Sequence, residues 1–114
     1  MAAVGRFAPP LALMALIFYL SSLPSVGSGL SFDFVLRKLV HMTEFGLLWL
    51  LILRALNWQG PRAAAVAAIA YAISDELHQS TVDGRHGTPV DVVIDATGVA
   101  LAAGLLRASR ARWR

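Results

Sequence analysis

Cysteine is absent from the 114 residues, which excludes disulfides, thiolate zinc sites, iron–sulfur clusters and a cysteine nucleophile. Charge is scarce as well. Only 15% of the residues are charged and 57% are apolar, where a soluble domain carries about 25% and roughly 45–50%. That balance points away from water. The chain also lacks Gly-x-Ser-x-Gly, a Walker loop and a dinucleotide fingerprint, so serine-hydrolase and nucleotide chemistry have no support. Sequence repeats are missing, and the length suits one domain spanning residues 1–114.

Four apolar segments fill most of this length. The first, Phe7 to Leu23, holds 17 residues without a formal charge, which at about 1.5 Å per residue nearly match the hydrocarbon thickness of a bilayer. Pro9 and Pro10 are expected in its first turn, where the amides that proline removes have no intrahelical partner. A secretory signal peptide is the alternative reading of this segment. Its apolar run is long for a signal, and no clean A-x-A site follows. The other three predicted helices are apolar over only part of their length. Val35 to Leu56 is polar in its first half, Arg62 to Gln79 in its second, and Pro89 to Leu106 near its start. Asn57 to Pro61 and Thr81 to Thr88 are the turns between them.

Charge placement separates a membrane protein from a soluble bundle of the same size. Threaded up and down with a cytoplasmic amino terminus, the segments put Arg6, Arg54, Arg62, Arg107, Arg110, Arg112 and Arg114 on the cytoplasmic side without an acidic residue. All seven acids fall on the other side with Arg37, Lys38, Arg85 and the three histidines. The expectation is therefore an all-α integral membrane bundle of four transmembrane helices, both termini cytoplasmic, with Trp58 and Trp113 in the interfacial belt. The net charge of +3 hides two unlike ends, one with seven positive charges and one with three basic residues against seven acidic.

Spacing then decides which polar residues can meet. Lys38, His41 and Glu44 step by three down one side of the second helix, and Asp75, His78 and Gln79 share a face of the third. Glu76 points about 100° away from Asp75. Asp91, Asp95, Gly98 and Ala102 put two carboxylates above a small-residue groove on the fourth helix, where another helix can approach closely. Ionisable groups at membrane depth are costly and must pair or line a wet cavity. Lys38 can pair with Asp75 or Asp91, and His41 with Glu44 or Asp95. Thr88, Pro89 and Asp91 read as the start of a helix, with Arg85 and His86 beside it to attract phosphate or carboxylate. Oxygen and nitrogen donors suited to a divalent metal are present. The two Glu-x-x-His copies of a di-iron bundle are not, and no cofactor is expected. The arginine-rich tail follows a spanning helix and reads as a topology anchor and anionic-lipid contact, not as a nucleic-acid site.

Lys38-x-x-His41-x-x-Glu44-Phe45, Ser74-Asp75-Glu76-Leu77-His78-Gln79, Gly84-Arg85 and Asp91-x-x-x-Asp95-x-x-Gly98 together resemble the VanZ-like family. That family comprises small multi-helix membrane proteins named after a protein of glycopeptide (teicoplanin) resistance clusters. The likeness covers roughly residues 37–104, and it departs at Asp95, where many members carry asparagine. It implies a cell-envelope location and a part in antibiotic susceptibility, without an agreed reaction.

The expectation is a bacterial inner-membrane protein whose polar pocket at the outer-leaflet end binds or modifies an anionic lipid head group or lipid-linked wall precursor. Catalytic candidates are His41, Asp75, Glu76, His78 and Asp91, with a histidine exchanging a proton and the carboxylates orienting it or acting as base. Lys38, Glu44, Gln79, Arg85 and Asp95 are the substrate-binding candidates. Two other classes stay open, a non-enzymatic accessory or binding protein and a small transporter that needs oligomers.

Overall fold

The computed structural model describes residues 3–22, 31–81 and 89–112. Among the described residues every regular element is an α-helix: α1 Ala3–Ser22, α2 Ser31–Ala55, α3 Pro61–Gln79 and α4 Pro89–Arg112. Sequential helices run antiparallel. Gly5 of α1 meets Arg54 of α2, while Ser21 shares a cleft with Arg37 and Glu44. Consequently α1 lies parallel to α3, and α2 to α4.

Three helix ends differ from expectation. Starting at Ala3 rather than Phe7, α1 carries Pro9 and Pro10 inside the helix, not in its first turn. Proline has no N–H to give the carbonyl four residues back, so Gly5 O loses its intrahelical donor. Arg54 Nη1 takes that place at 3.3 Å. Helix α2 starts at Ser31 rather than Val35. Helix α4 runs on to Arg112 rather than ending at Leu106, because alanine and arginine are strong helix formers and neither glycine nor proline interrupts Arg107–Arg112.

The core lies between α2 and α3. Ala64, Ala68 and Ala72 form a buried stripe at four-residue spacing, and this flat surface accepts Phe45, Leu48, Trp49 and Leu53 of α2. Ile17 of α1 and Val99 of α4 complete the cluster. Two side-chain donors reach across helices to backbone oxygens, Trp49 Nε1 to Pro61 O at 3.0 Å and Tyr71 Oη to Met14 O at 2.5 Å. Between α2 and α3 the chain reverses through Asn57 and Trp58, both at positive φ (60° and 63°). Trp58 N there caps Leu53 O at 2.8 Å.

Helices α2 and α4 pack closest, in a register set by glycine. A side chain at Gly98 would overlap the Met42 carbonyl and lie 2.8 Å from Met42 Cα. One at Gly46 would lie 2.9 Å from Gly98 O. Glycine at both points lets the two backbones touch, as the small-residue groove on α4 predicts.

Ala3–Ser22 and Pro89–Arg110 are each long and apolar enough to cross a membrane. Only 11% and 17% of their most apolar windows are buried. Their apolar side chains, such as Leu11, Leu16, Phe18, Val93, Leu101 and Leu105, face outward.

Candidate functional site

The close approach of α2 and α4 has an immediate consequence one turn above Gly98. It brings Asp91 and Asp95 against α2, where Lys38 Nζ pairs with Asp91 and His41 Nδ1 lies 3.3 Å from Asp95 Oδ1. These are pairings that the spacing allows. Asp95 is only 3% exposed. Its Oδ1 has His41 Nδ1 as its partner across the α2–α4 seam.

The Lys38–His41–Glu44 stripe explains itself geometrically. Three residues advance a helix by about 300°, so each step drifts roughly 60° around the axis. Lys38 meets α4, His41 faces both α4 and α1, and Glu44 has turned to α1, where it lines a cleft of about 220 Å³ with Ser21, Arg37 and His41. Glu44 is half-buried, and none of the hydrogen bonds or ion pairs among the described residues engages it. The charges of His41, Asp75 and Asp95 nevertheless act on it.

A second knot joins α3 to α1. Ser21 Oγ donates to Asp75 Oδ1 at 2.5 Å, and Gln79 Nε2 donates to Asp75 Oδ2 at 3.1 Å and to Ser21 Oγ at 3.2 Å. All three residues are buried. In that setting Asp75 accepts from two donors and gives each a partner, which is what a buried polar group requires. His78 occupies the same helix face but sits nearer the rim. Its ring stacks on Phe18 at 4.1 Å, and its Nε2 is 3.4 Å from Ser22 Oγ.

The expected residues therefore separate into groups. Lys38, His41, Asp91 and Asp95 come together between α2 and α4, Asp75 and Gln79 sit against α1, and Glu44 borders the cleft. Glu76 stays apart, half-buried without a side-chain partner among the described residues, as its angle from Asp75 requires. Arg85 lies outside the described residues. Among those that are described, no group of three or more acidic or histidine side chains is placed to hold a metal ion.

Two cleft residues escape spacing arguments. Ser21 is one of two adjacent serines that end an apolar helix, so nothing periodic marks it out from Ser22; only its depth, level with Asp75, gives it away. Arg37 neighbours Lys38 in sequence but points about 100° from it, away from the stripe and toward the cleft.

Fold and site thus define a small all-helical protein with two helices of membrane-spanning length and a buried cluster of ionisable side chains at one end. The chain belongs to the VanZ/LLP1 family, whose model matches residues 7–110. No curated protein and no solved structure matches it.

Proposed function

We propose that the chain is a bacterial inner-membrane protein of four spanning helices, both termini cytoplasmic, whose outer-leaflet pocket binds or modifies an anionic envelope substrate. The outward-facing apolar surfaces of α1 and α4 support a hydrocarbon surrounding, since a soluble protein rarely exposes apolar patches of such extent. The family supports the envelope location and a part in glycopeptide susceptibility.

The observation that carries the pocket is the convergence of Ser21, Arg37, His41 and Glu44 on one cleft, beside Asp95 and Asp75. Arg37 supplies a cation for a phosphate-bearing head group, while Ser21, its hydroxyl already donated to Asp75, holds the floor of the cleft. His41 exchanges a proton, with Asp95 stabilising the imidazolium, and Glu44 is the base. Lys38 and Asp75 serve as positioning residues, because Asp91 engages the first, and Ser21 and Gln79 the second.

The internal pairing of Lys38, Asp75 and Asp91 also favours a second reading, in which the cluster locks the helices of a non-enzymatic accessory protein. Teicoplanin susceptibility of a bacterial host expressing the chain separates the two. His41→Gln and Glu44→Gln, at membrane levels equal to wild type, are expected to abolish the wild-type shift in inhibitory concentration. Full retention of the shift by both variants overturns the pocket. Glu44→Asp, which withdraws the carboxylate by one carbon, is expected to abolish turnover and to be tolerated by simple binding.

A further inference from the structure

The opposite end of the molecule holds a second cleft, of about 420 Å³, bounded by Trp49, Leu53, Trp58, Leu106, Arg107 and Arg110. Its chemistry is the reverse of the first. Two guanidiniums stand one helical turn apart at the end of α4, and no ion pair among the described residues engages either. No described acidic residue lines this cleft; Asp75, Glu76, Asp91 and Asp95 are on the halves of their helices that face the other way, and Glu44 is at the middle of α2. Below the arginines the wall is apolar, made by Leu53, Leu106 and the Trp49 ring.

Trp58 gives this cleft a built edge. It holds φ 63°, a left-handed conformation that a bulky L-residue adopts rarely, in a turn where glycine would be free of strain. Trp58 N fixes that geometry by capping Leu53 O. The turn thus sets an amphipathic indole opposite Arg107 and Arg110, a pairing of aromatic ring and cation that belongs at the level of lipid head groups.

We infer that the Trp58–Arg107–Arg110 cleft is a binding site for the phosphodiester head group of an anionic phospholipid, with one acyl chain descending along Leu53 and Leu106. The inference rests on the proposed membrane placement. It assigns a ligand to the end that the proposed pocket does not use. Charge complementarity selects the head group: the guanidiniums offer forked donors to phosphate oxygens, and none of the described lining residues is a carboxylate that competes for them. The apolar wall directly beneath selects a lipid over a free anion.

Native mass spectrometry of the full chain released from detergent tests it, with phosphatidylglycerol and phosphatidylcholine offered together. Wild type is expected to retain phosphatidylglycerol preferentially. R107Q and R110Q are each expected to cut that retention about fivefold, the effect of one cationic side chain near an anionic lipid surface. R62Q removes the same charge from an exposed position outside the cleft and is expected to leave retention unchanged. Equal loss in R62Q, or no preference in wild type, overturns the site. Displacement of the lipid by excess inorganic phosphate overturns the choice of a lipid ligand. Alkaline extraction of membranes tests the underlying reading separately: release of wild type overturns membrane integration, whereas retention with no phosphatidylglycerol preference overturns this site alone.

Discussion

The two ends of the molecule handle charge in opposite ways. At the polar end Asp75 and Asp95 are buried to 3% exposure, and Ser21 of α1, His41 of α2 and Gln79 of α3 answer them. At the basic end Arg62, Arg107 and Arg110 are exposed and have no acidic neighbour among the described residues. Buried charges demand partners in fixed positions, because removing one partner strands the other away from water. Exposed charges act through their field and tolerate exchange. Fixed pairings are therefore concentrated at one end, and the exposed positive charges of Arg62, Arg107 and Arg110 at the other.

Gly98→Val is the strongest way to break that comparison, because the first obstacle is the Met42 backbone, not a side chain that can rotate away. Overpacking costs about 1–3 kcal/mol when side chains can adjust, and more when backbones must part. Separating α2 from α4 also pulls Lys38 from Asp91 and His41 from Asp95. The expected result is loss of a monodisperse peak in detergent size exclusion. The same chromatography of Gly104→Ala should match wild type, since nothing lies within 4 Å of the side chain it adds.

Asp95→Ala comes next. It leaves His41 without its counter-ion in a buried site, a loss of about 3 kcal/mol for a broken buried pair. Asp91→Ala should cost less, because the Lys38 and Asp91 side chains keep 28% and 14% of their exposure and water can take over. Apparent melting temperatures in one detergent rank the two. Equal shifts would show that depth does not set the cost at this end.

Much of this arrangement was legible in the residues, for a physical reason. Polar side chains inside apolar helices are so costly that their spacing is informative: it marks the groove at Gly98 and narrows Lys38 to Asp75 or Asp91 and His41 to Glu44 or Asp95, and the packing of α2 on α4 selects Asp91 and Asp95. What stayed hidden depends on single contacts without a period. Ser21 acquires meaning only when α3 brings Asp75 to it, and Arg37 only when α1 closes the cleft. The start of α1 was misjudged because proline was expected to mark it: Pro9 lies inside the helix, where Arg54 serves the Gly5 carbonyl that it abandons.

Ser21→Ala tests the least legible of these contacts. It removes one donor to Asp75 and one acceptor from Gln79 while leaving their mutual bond, so the loss should be about 1–2 kcal/mol, below that of Asp95→Ala. Combined with Asp75→Ala, the double variant should be more stable than the two single losses predict when added. The excess measures the coupling between α1 and α3. Strict additivity would mean that the two side chains do not support one another.

Arg62→Gln carries the smallest expected effect and bears most directly on the contrast between the ends. Arg62 is exposed in the first turn of α3, where a positive charge opposes the helix dipole, so its removal should shift stability by no more than about 0.5 kcal/mol in either direction. Its influence should appear in orientation instead, because in the proposed membrane placement Arg62 is grouped with Arg6, Arg54, Arg107 and Arg110 at one end and each adds to the bias across the bilayer. The absence of cysteine makes this measurable: a single cysteine in place of exposed Asn57 is the only thiol in the protein, and a membrane-impermeant maleimide reports its side. Asn57→Cys should resist labelling from outside in an otherwise unchanged chain, resist it still with Arg62→Gln, and become labelled as Arg107→Gln and Arg110→Gln are added. A melting temperature that falls as far with Arg62→Gln as with Asp95→Ala would erase the distinction, because the basic end would then hold the fold together as the acidic end does.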